Sequence, residues 1–407
     1  MEVLLELLIF LGLARLLGEG AEKVGLQSSV GEILAGVLFA AAASMMPEKF
    51  SMIDQIAQGE HLAAAASVAM FALILHAAVE MKPRNMARRA AGSLFIALGG
   101  MAVPLAAGLL VGMLVLPEGP LKSSQTLLIG IALSISAIAA AIKVLSELNL
   151  EHTRVGETII FSAVIDDVLG LFLLAILMSV IQTGHIPAVT SLLILFFKIL
   201  IFFTVTILLG VHVYPKISRK LNVLEATSLE FSVLVAIALA YGVLAEVLGM
   251  HWIMGAFMAG LFFEPGRVGH KAFTETRIIF SAVTRGVLGP LFFAYIGLRV
   301  DLSAFGAVPG FMLLLFLVAI VGKLVGAGVP ALLNGLSPRD AAAVGAGLSS
   351  RGGVEMVVLS IAYEAGVFVT ESGAAPVVTH LFSTLIIVAV ATTMLSPVML
   401  RRLLGNK

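Results

Sequence analysis

Long apolar runs, broken by short charged or glycine-rich stretches, recur from one end of the chain to the other. A helix that crosses a bilayer needs about 20 mostly apolar residues, and on that ruler the pattern predicts about thirteen spanning helices. They centre near Phe10, Ala35, Met70, Pro104, Ser134, Leu169, Leu200, Ala238, Phe257, Leu288, Val318, Glu355 and Ile387. The eighth and ninth follow so closely that they form a tight hairpin, divided only by the stretch around Gly249 and Met250. The run from Val3 to Leu17 follows Glu2, contains Glu6 and has neither a basic leader nor a small-residue cleavage site, so it reads as the first span and not as a signal peptide.

Composition agrees with the pattern. Hydrophobic residues make up 60% of 407 and charged residues 12%, with mean hydropathy +1.09, where soluble domains carry roughly 25% charge. Lys plus Arg (25) balance Asp plus Glu (25), which gives no reason to expect a nucleic-acid partner; membrane lipids are the surroundings. With no Cys, disulfide frameworks, thiolate metal sites and a cysteine nucleophile are excluded.

Lys and Arg are distributed unevenly between the loops. Lys82, Arg84, Arg88 and Arg89 follow span three, Lys143 and Arg154 span five, Lys216, Arg219 and Lys220 span seven, and Arg267, Lys271 and Arg277 span nine. The alternate loops, around Pro117 to Ser123 and Thr183 to Pro187, hold only Lys122. By the positive-inside rule the first set faces the cytoplasm, which puts the N-terminus outside and Arg401, Arg402 and Lys407 inside the cell membrane.

The chain also echoes itself. Ala21 to Gly36 (AEKVGLQSSVGEILAG) aligns without gaps on Ala245 to Gly260 (AEVLGMHWIMGAFMAG), sharing Ala, Glu, Gly, Gly, Ala and Gly. Phe71, Val79 and Glu80 correspond to Phe292, Val300 and Asp301, and Leu133 to Ser136 corresponds to Leu348-Ser349-Ser350. Each echo pairs span n with span n+7, so a unit of six spans recurs after one linking span and must be inverted in the membrane. Inverted repeats are a signature of transporters, which present one site alternately to two sides.

Asp166 and Asp167, in FSAVIDDVLGLFLLAI, stand near the bilayer midplane, about 13 Å along a helix from the start of their apolar stretch. An Asp at that depth costs about 2.5 to 3.5 kcal/mol on insertion scales, too much for decoration; the structural alternative is a pair that caps a helix end. Neighbours on a helix point about 100° apart, so one carboxylate can meet a buried partner while the other faces water. Burial raises a carboxylate's affinity for its proton, and such a group holds either a proton or a hard, oxygen-seeking cation. Lys323, in FMLLLFLVAIVGKLVGAG, is the natural partner, because apolar sequence on both sides argues against snorkelling. Gly322-Lys323 lacks the spacing of a phosphate loop.

Span twelve, GAGLSSRGGVEMVVLSIA, crowds Gly345, Gly347, Gly352 and Gly353 around Ser349, Ser350 and Arg351, and span five places Ser134 and Ser136 among small residues. Gly and Ser weaken helices, and breaks at corresponding points of two repeats point to a transporter's site; close packing by small residues is the bland reading. Arg351 and Glu355, four apart, suit an intrahelical pair. Glu32 and His76 lie near span ends, where a wet interface is expected, and Pro104, Pro290 and Pro330 are candidate kinks.

With these residues, the chain resembles the monovalent cation:proton antiporter superfamily, in the branch of bacterial Na⁺/H⁺ antiporters and Kef-type potassium-efflux membrane domains. The likeness runs over nearly the whole chain through VGEILAGVLFA (Val30 to Ala40), IDDVLGL (Ile165 to Leu171), MGAFMAGLFFEP (Met254 to Pro265), GPLFFAYIGLRVDL (Gly289 to Leu302) and SRGGVEMVV (Ser350 to Val358). It implies an all-α membrane fold of two inverted six-helix repeats with crossed discontinuous helices. Residues 1–90 and 225–302 then form a dimerisation scaffold, 91–183 and 303–403 an ion-transport core, and 184–224 a linking helix. The resemblance makes Asp167 the ion and proton carrier, with Asp166 salt-bridged to Lys323, in an electrogenic homodimer that is not an enzyme and has no cofactor besides the transported Na⁺ or K⁺ and H⁺. A second proton could come from Lys323 when the cation draws Asp166 away. One departure stands out: relatives often read Arg-Gly-Glu where this chain has Arg351-Gly352-Gly353, with Glu355 two positions later, which leaves that glutamate's role open. No nucleotide-binding regulatory domain follows span thirteen, so ligand gating within this polypeptide is not expected.

Other classes fit less well. An adjacent acidic pair at the midplane disfavours the anionic substrate of a bile-acid-type carrier. An intramembrane aspartyl protease carries its aspartates on separate helices, one in a Gly-x-Gly-Asp context that is missing here. A pure channel has no need of a buried Asp and Lys that titrate.

Overall fold

The computed structural model describes residues 2–45, 60–80, 90–150, 152–183, 189–213, 215–216, 229–369 and 373–405. Lys82, Arg84, Arg88, Arg89, Pro187, Arg219, Lys220 and Lys407 lie outside the described residues. Among those described, all regular elements are helical. The helices are α1 (Glu2–Lys23), α2 (Ser28–Met45), α3 (Glu60–Glu80), α4 (Ala90–Val115), α5 (Lys122–Ser134), α6 (Ile138–Glu147), α7 (Arg154–Thr183) and α8 (Val189–His212). They continue as α9 (Leu229–Val247), α10 (Ile253–Phe262), α11 (His270–Val283), α12 (Gly289–Leu298), α13 (Pro309–Leu333), α14 (Pro338–Gly347), α15 (Gly353–Glu364) and α16 (Leu381–Leu404), with single helical turns between some of them.

Six stretches among the described residues are long and apolar enough to cross a bilayer: Gly92–Val115, Arg154–Ile181, Leu229–Val247, His270–Leu298, Pro309–Leu333 and Leu381–Leu404. The chain is therefore an all-helical, multi-pass membrane protein. Its outward surface carries large apolar side chains, such as Leu114, Phe197, Leu313 and Leu333, as contact with lipid tails requires.

Two spans are interrupted. Between α5 and α6 the backbone leaves the helix over 135–137, with Ile135 extended, and between α14 and α15 it leaves the helix over 348–352. The two gaps are joined by one backbone hydrogen bond, Ala137 N–H to the Ser350 carbonyl at 2.7 Å. A third irregularity is a π-helical turn, Thr284–Leu288, ahead of Pro290. Proline brings no N–H to the ladder, and the wider turn absorbs the mismatch. Pro104 and Pro330, by contrast, sit inside continuous helices.

The longest sequence echo has a structural cause that can be read atom by atom. Gly25 ends α1 at φ 85° and Gly249 ends α9 at φ 81°, in the left-handed region that favours glycine. In both, the glycine N–H bonds the carbonyl three residues back, Glu22 or Glu246, and the next N–H reaches five back, Leu26 to Ala21 and Met250 to Ala245. This is the same glycine-terminated helix end twice over. Gly36 and Gly260, also equivalent in the echo, each admit a close backbone approach: a Cβ would lie 2.0 Å from the Ala294 carbonyl at Gly36 and 2.6 Å from the Leu75 carbonyl at Gly260.

Contacts divide the chain into two compact units. The first comprises Met1–Ala57, Arg88–His185 and Phe293–Lys407. Within it α4 packs on α5, α7 and α13, while α14 packs on α7, α13 and α16. Its core holds Ile96, Val144, Leu145, Val155, Ile159, Val344, Leu348 and Leu400. The second unit, Gln58–Ala87 and Ile186–Phe292, contains α3 and α8 to α11. In it Phe71 stacks on Trp252, and Arg277 holds the Glu80 carboxylate with two hydrogen bonds of 2.7 and 3.0 Å.

Candidate cation and proton site

Everything the sequence singled out in spans five, six, eleven and twelve belongs to the first unit, and the two helix gaps bring much of it together. Asp166 lies on α7, about 18 Å of helical rise from Arg154, and is 1% exposed. Its Oδ2 accepts the Ser136 backbone N–H at 2.8 Å. Lys323 Nζ, from α13, lies 3.2 Å from the same oxygen and 3.4 Å from Oδ1. Lys323 itself is fully buried.

Ser136 donates here because it stands ahead of the first turn of α6, where backbone N–H groups have no helical acceptor and an anion is favoured. One carboxylate thus answers both a stranded backbone donor and a stranded ammonium. Asp167, next on the helix and also buried, is different: its Oδ1 accepts no hydrogen bond.

Arg351 performs the converse task. Its guanidinium donates from Nη1 to the Ala132 and Ile135 carbonyls, the latter at 2.6 Å, and from Nη2 to the Leu133 carbonyl at 2.5 Å. The C-terminal carbonyls of α5 point into the gap without helical partners, and a buried cation there satisfies both their hydrogen bonding and the negative end of the helix. Thr393 of α16 holds the arginine's own backbone, accepting from its N–H at 3.1 Å, while its one hydroxyl proton is shared between the Ala389 carbonyl of its own helix at 2.7 Å and the Arg351 carbonyl at 2.9 Å.

Glu355, in the first turn of α15, is 3% exposed. The expected pair with Arg351 is loose: Arg351 Nε is 3.9 Å from Glu355 Oε2, beyond hydrogen-bond reach, and that oxygen accepts no bond. The serines divide as well. Ser134 and Ser349 donate to carbonyls of their own helices, Ile131 and Gly345, both at 2.8 Å. Ser136 Oγ has no partner, and Ser350 Oγ meets Gln27 Nε2 at 3.4 Å.

Gln27 and Thr393 are neighbours of the candidate site that sequence reasoning missed. Gln27 had a signal, since it lies inside the repeated segment, opposite His251; Thr393, one hydroxyl in an apolar span, had none. Glu32 and His76, expected at wet span ends, are both buried. Glu32 packs against Gly18 of α1, and His76 Nδ1 shares a 2.8 Å hydrogen bond with Thr284 in the second unit.

The arrangement is a water-poor centre in which two buried cations balance a backbone gap and one aspartate, while a second aspartate keeps lone pairs unused. A carboxylate with free lone pairs holds a proton or a hard monovalent cation, one at a time.

Proteins similar to this chain are named as cation/proton antiporters. The Na(+)/H(+)-K(+) antiporter GerN of Bacillus cereus is 26% identical over 100% of this chain and 97% of its own. An Na(+)/H(+) antiporter of Enterococcus hirae is 26% identical over 94% of this chain and 92% of its own. The structure of the sodium proton antiporter MjNhaP1 from Methanocaldococcus jannaschii at pH 8 superposes with a TM-score of 0.74 over 100% of both chains, at 16% identity, and so shares the fold. Residues 7–405 match the family described as sodium/hydrogen exchanger, transmembrane, and the chain belongs to that family.

Proposed function

We propose that the protein is a secondary active antiporter that exchanges a monovalent cation, Na⁺ first and Li⁺ or K⁺ as alternatives, for protons by alternating access, and that it is electrogenic. The observation that carries this reading is the contrast between two adjacent buried carboxylates: Asp166 is saturated by Ser136 and Lys323, while Asp167 keeps an oxygen that accepts nothing. A saturated carboxylate is structural, and the unsaturated one is where H⁺ and cation exclude each other.

In this reading Asp167 is the carrier and Lys323 keeps Asp166 ionised, so the negative field at the site persists through the cycle. Arg351 and Asp166 stabilise the two helix gaps, whose serines and open carbonyls are suited to an ion's oxygen shell. The core, residues 91–183 and 303–403, moves the site between two water phases against a scaffold formed by 1–90 and 225–302, in a homodimer in the cell membrane with its N-terminus outside. Relatives named for Na⁺ and K⁺ support a monovalent cargo without choosing between them.

The test is purified protein in liposomes carrying a pH gradient, with Na⁺, Li⁺ or K⁺ added in turn. Cation-dependent collapse of the gradient is expected in the native protein and its loss in Asp167→Asn. Unchanged collapse in that variant rejects the site.

A further inference from the structure

Glu355 is the one ionised-type side chain of the buried centre that the exchange chemistry above does not use. It is held in the first turn of α15, 3% exposed, and α15 packs against α5, α7 and α16. The charged groups acting on it are Arg351 from the gap and Lys323 from α13. The α7 helix brings Asp166 and Asp167 to the same centre, α5 lends the carbonyls that Arg351 covers and has its one charged residue, Lys122, at its far end, and α16 carries charge only at Arg401 and Arg402 in its last turn. With its Nη groups given to three carbonyls, the arginine leaves Glu355 Oε2 at 3.9 Å and without a hydrogen bond. Asp167 Oδ1 is in the same condition. A buried oxygen that accepts nothing needs an explanation, and taking up a proton there breaks no existing bond.

From this geometry we propose that Glu355 is a second exchangeable acid: it takes up a proton when Asp167 does and releases it to water when the cation binds, so that two protons move against each cation. The proposal rests on the reading of Asp167 as carrier. Charge balance supplies the argument. Three carboxylates, Asp166, Asp167 and Glu355, face two buried cations, Lys323 and Arg351. With all five ionised and one monovalent cation bound, the centre is neutral. With Asp167 and Glu355 both protonated it carries one positive charge, so one net charge crosses per cycle.

Were Glu355 a fixed counter-charge, both loaded forms would be neutral and exchange would be indifferent to voltage. Lys323 is the less suitable second donor. Its ammonium lies 3.2 Å from Asp166, and losing its proton leaves that buried carboxylate without its counter-charge.

The experiment measures the cation gradient sustained at equilibrium in liposomes by a tenfold proton gradient, with the membrane potential clamped at zero. Two protons per cation sustain about a hundredfold cation gradient and one proton about tenfold. The native protein and Glu355→Asp are expected at about a hundredfold, and Glu355→Gln, still active, at about tenfold. A tenfold gradient in the native protein overturns the proposal, as does a hundredfold gradient in Glu355→Gln, or loss of all exchange in that variant when its thermal unfolding is native.

If Glu355→Gln does not fold, infrared titration decides: on acidification one protonated buried carboxyl band that is lost in Asp167→Asn and another that shifts in Glu355→Asp are expected, both distinct from the band of the buried Glu32. Absence of any band that shifts in Glu355→Asp overturns the proposal. Continued exchange in Asp167→Asn is the separate signature of failure of the underlying site.

Discussion

Lys323 and Asp166 are each tolerable in the bilayer only because the other is there. Removing one partner of a buried ion pair leaves an uncompensated charge, a loss of about 3–5 kcal/mol. Lys323→Ala is therefore expected to lower the unfolding temperature in detergent sharply, and the double variant Lys323→Met, Asp166→Asn to recover most of that loss. Equal instability in the single and double variants would show that the pair is not what holds α7 and α13 in place. The neighbouring Asp167 makes a prediction in pH. A proton and a cation compete for it, so protons act as a competing ligand. Where only Asp167 is protonated, each unit fall in pH raises the cation KM about tenfold, where Glu355 is protonated as well about a hundredfold, and well above both pKa values KM becomes independent of pH. Initial rates over a pH series check the slope, and a KM flat across that series removes the competition. At this scale the sequence was informative wherever charge stood in apolar surroundings: Asp166, Asp167 and Lys323 stand out because each is costly alone. The partners of Arg351 did not, because they are backbone carbonyls of a segment more than two hundred residues away. The spacing of four to Glu355 suggested a pair that the gap before α15 loosens.

Helices end and break here for local reasons that recur. The glycine-terminated ends of α1 and α9 use the same two hydrogen bonds, and Gly25 and Gly249 are the residues whose φ no other side chain adopts cheaply. Alanine at either position is expected to cost about 1–2 kcal/mol, similar in size at the two, because only flexible ends of Arg401 and Lys198 stand near the new methyl group. Gly36→Ala is expected to cost more, since its Cβ would meet backbone at 2.0 Å and α2 would have to move off α12. Thermal unfolding of the three variants checks the order; a Gly36→Ala protein as stable as Gly25→Ala would refute the close approach. The repeat was legible because a left-handed helix end strongly favours glycine and a close backbone contact leaves no room for a Cβ. The gap at 348–352 was legible from Gly and Ser density, whereas at 135–137 two serines among small residues suited a break and close helix packing equally. The π-helical turn ahead of Pro290 was foreseen only as a kink, because a single proline does not reveal which ladder the chain adopts around it.

At the scale of the molecule, the open matter is which parts travel together. The hairpin between α1 and α2 is tied to the helices of the gaps: Lys143 of α6 donates to the carbonyls of Glu22 at 3.2 Å and Leu26 at 3.5 Å. Arg401 of α16 lies against Gly25, and Gln27 reaches Ser350 at 3.4 Å. Contacts accordingly group residues 1–57 with the carrier helices, whereas the scaffold of the proposed function includes 1–90. If the hairpin belongs to a static scaffold, these polar ties must part and re-form in every cycle, and a handful of exposed or half-buried hydrogen bonds, each worth about 0.5–1.5 kcal/mol net, can do so. The chain has no cysteine, so Leu26→Cys with Lys143→Cys gives a clean pair for a short, reducible bis-methanethiosulfonate linker. Joining the two is expected to stop cation-driven proton movement in liposomes, and cleaving the linker to restore it. Exchange that continues with the linker intact would mean that α1 and α2 ride with the carrier helices, so that the sliding boundary falls elsewhere along the chain.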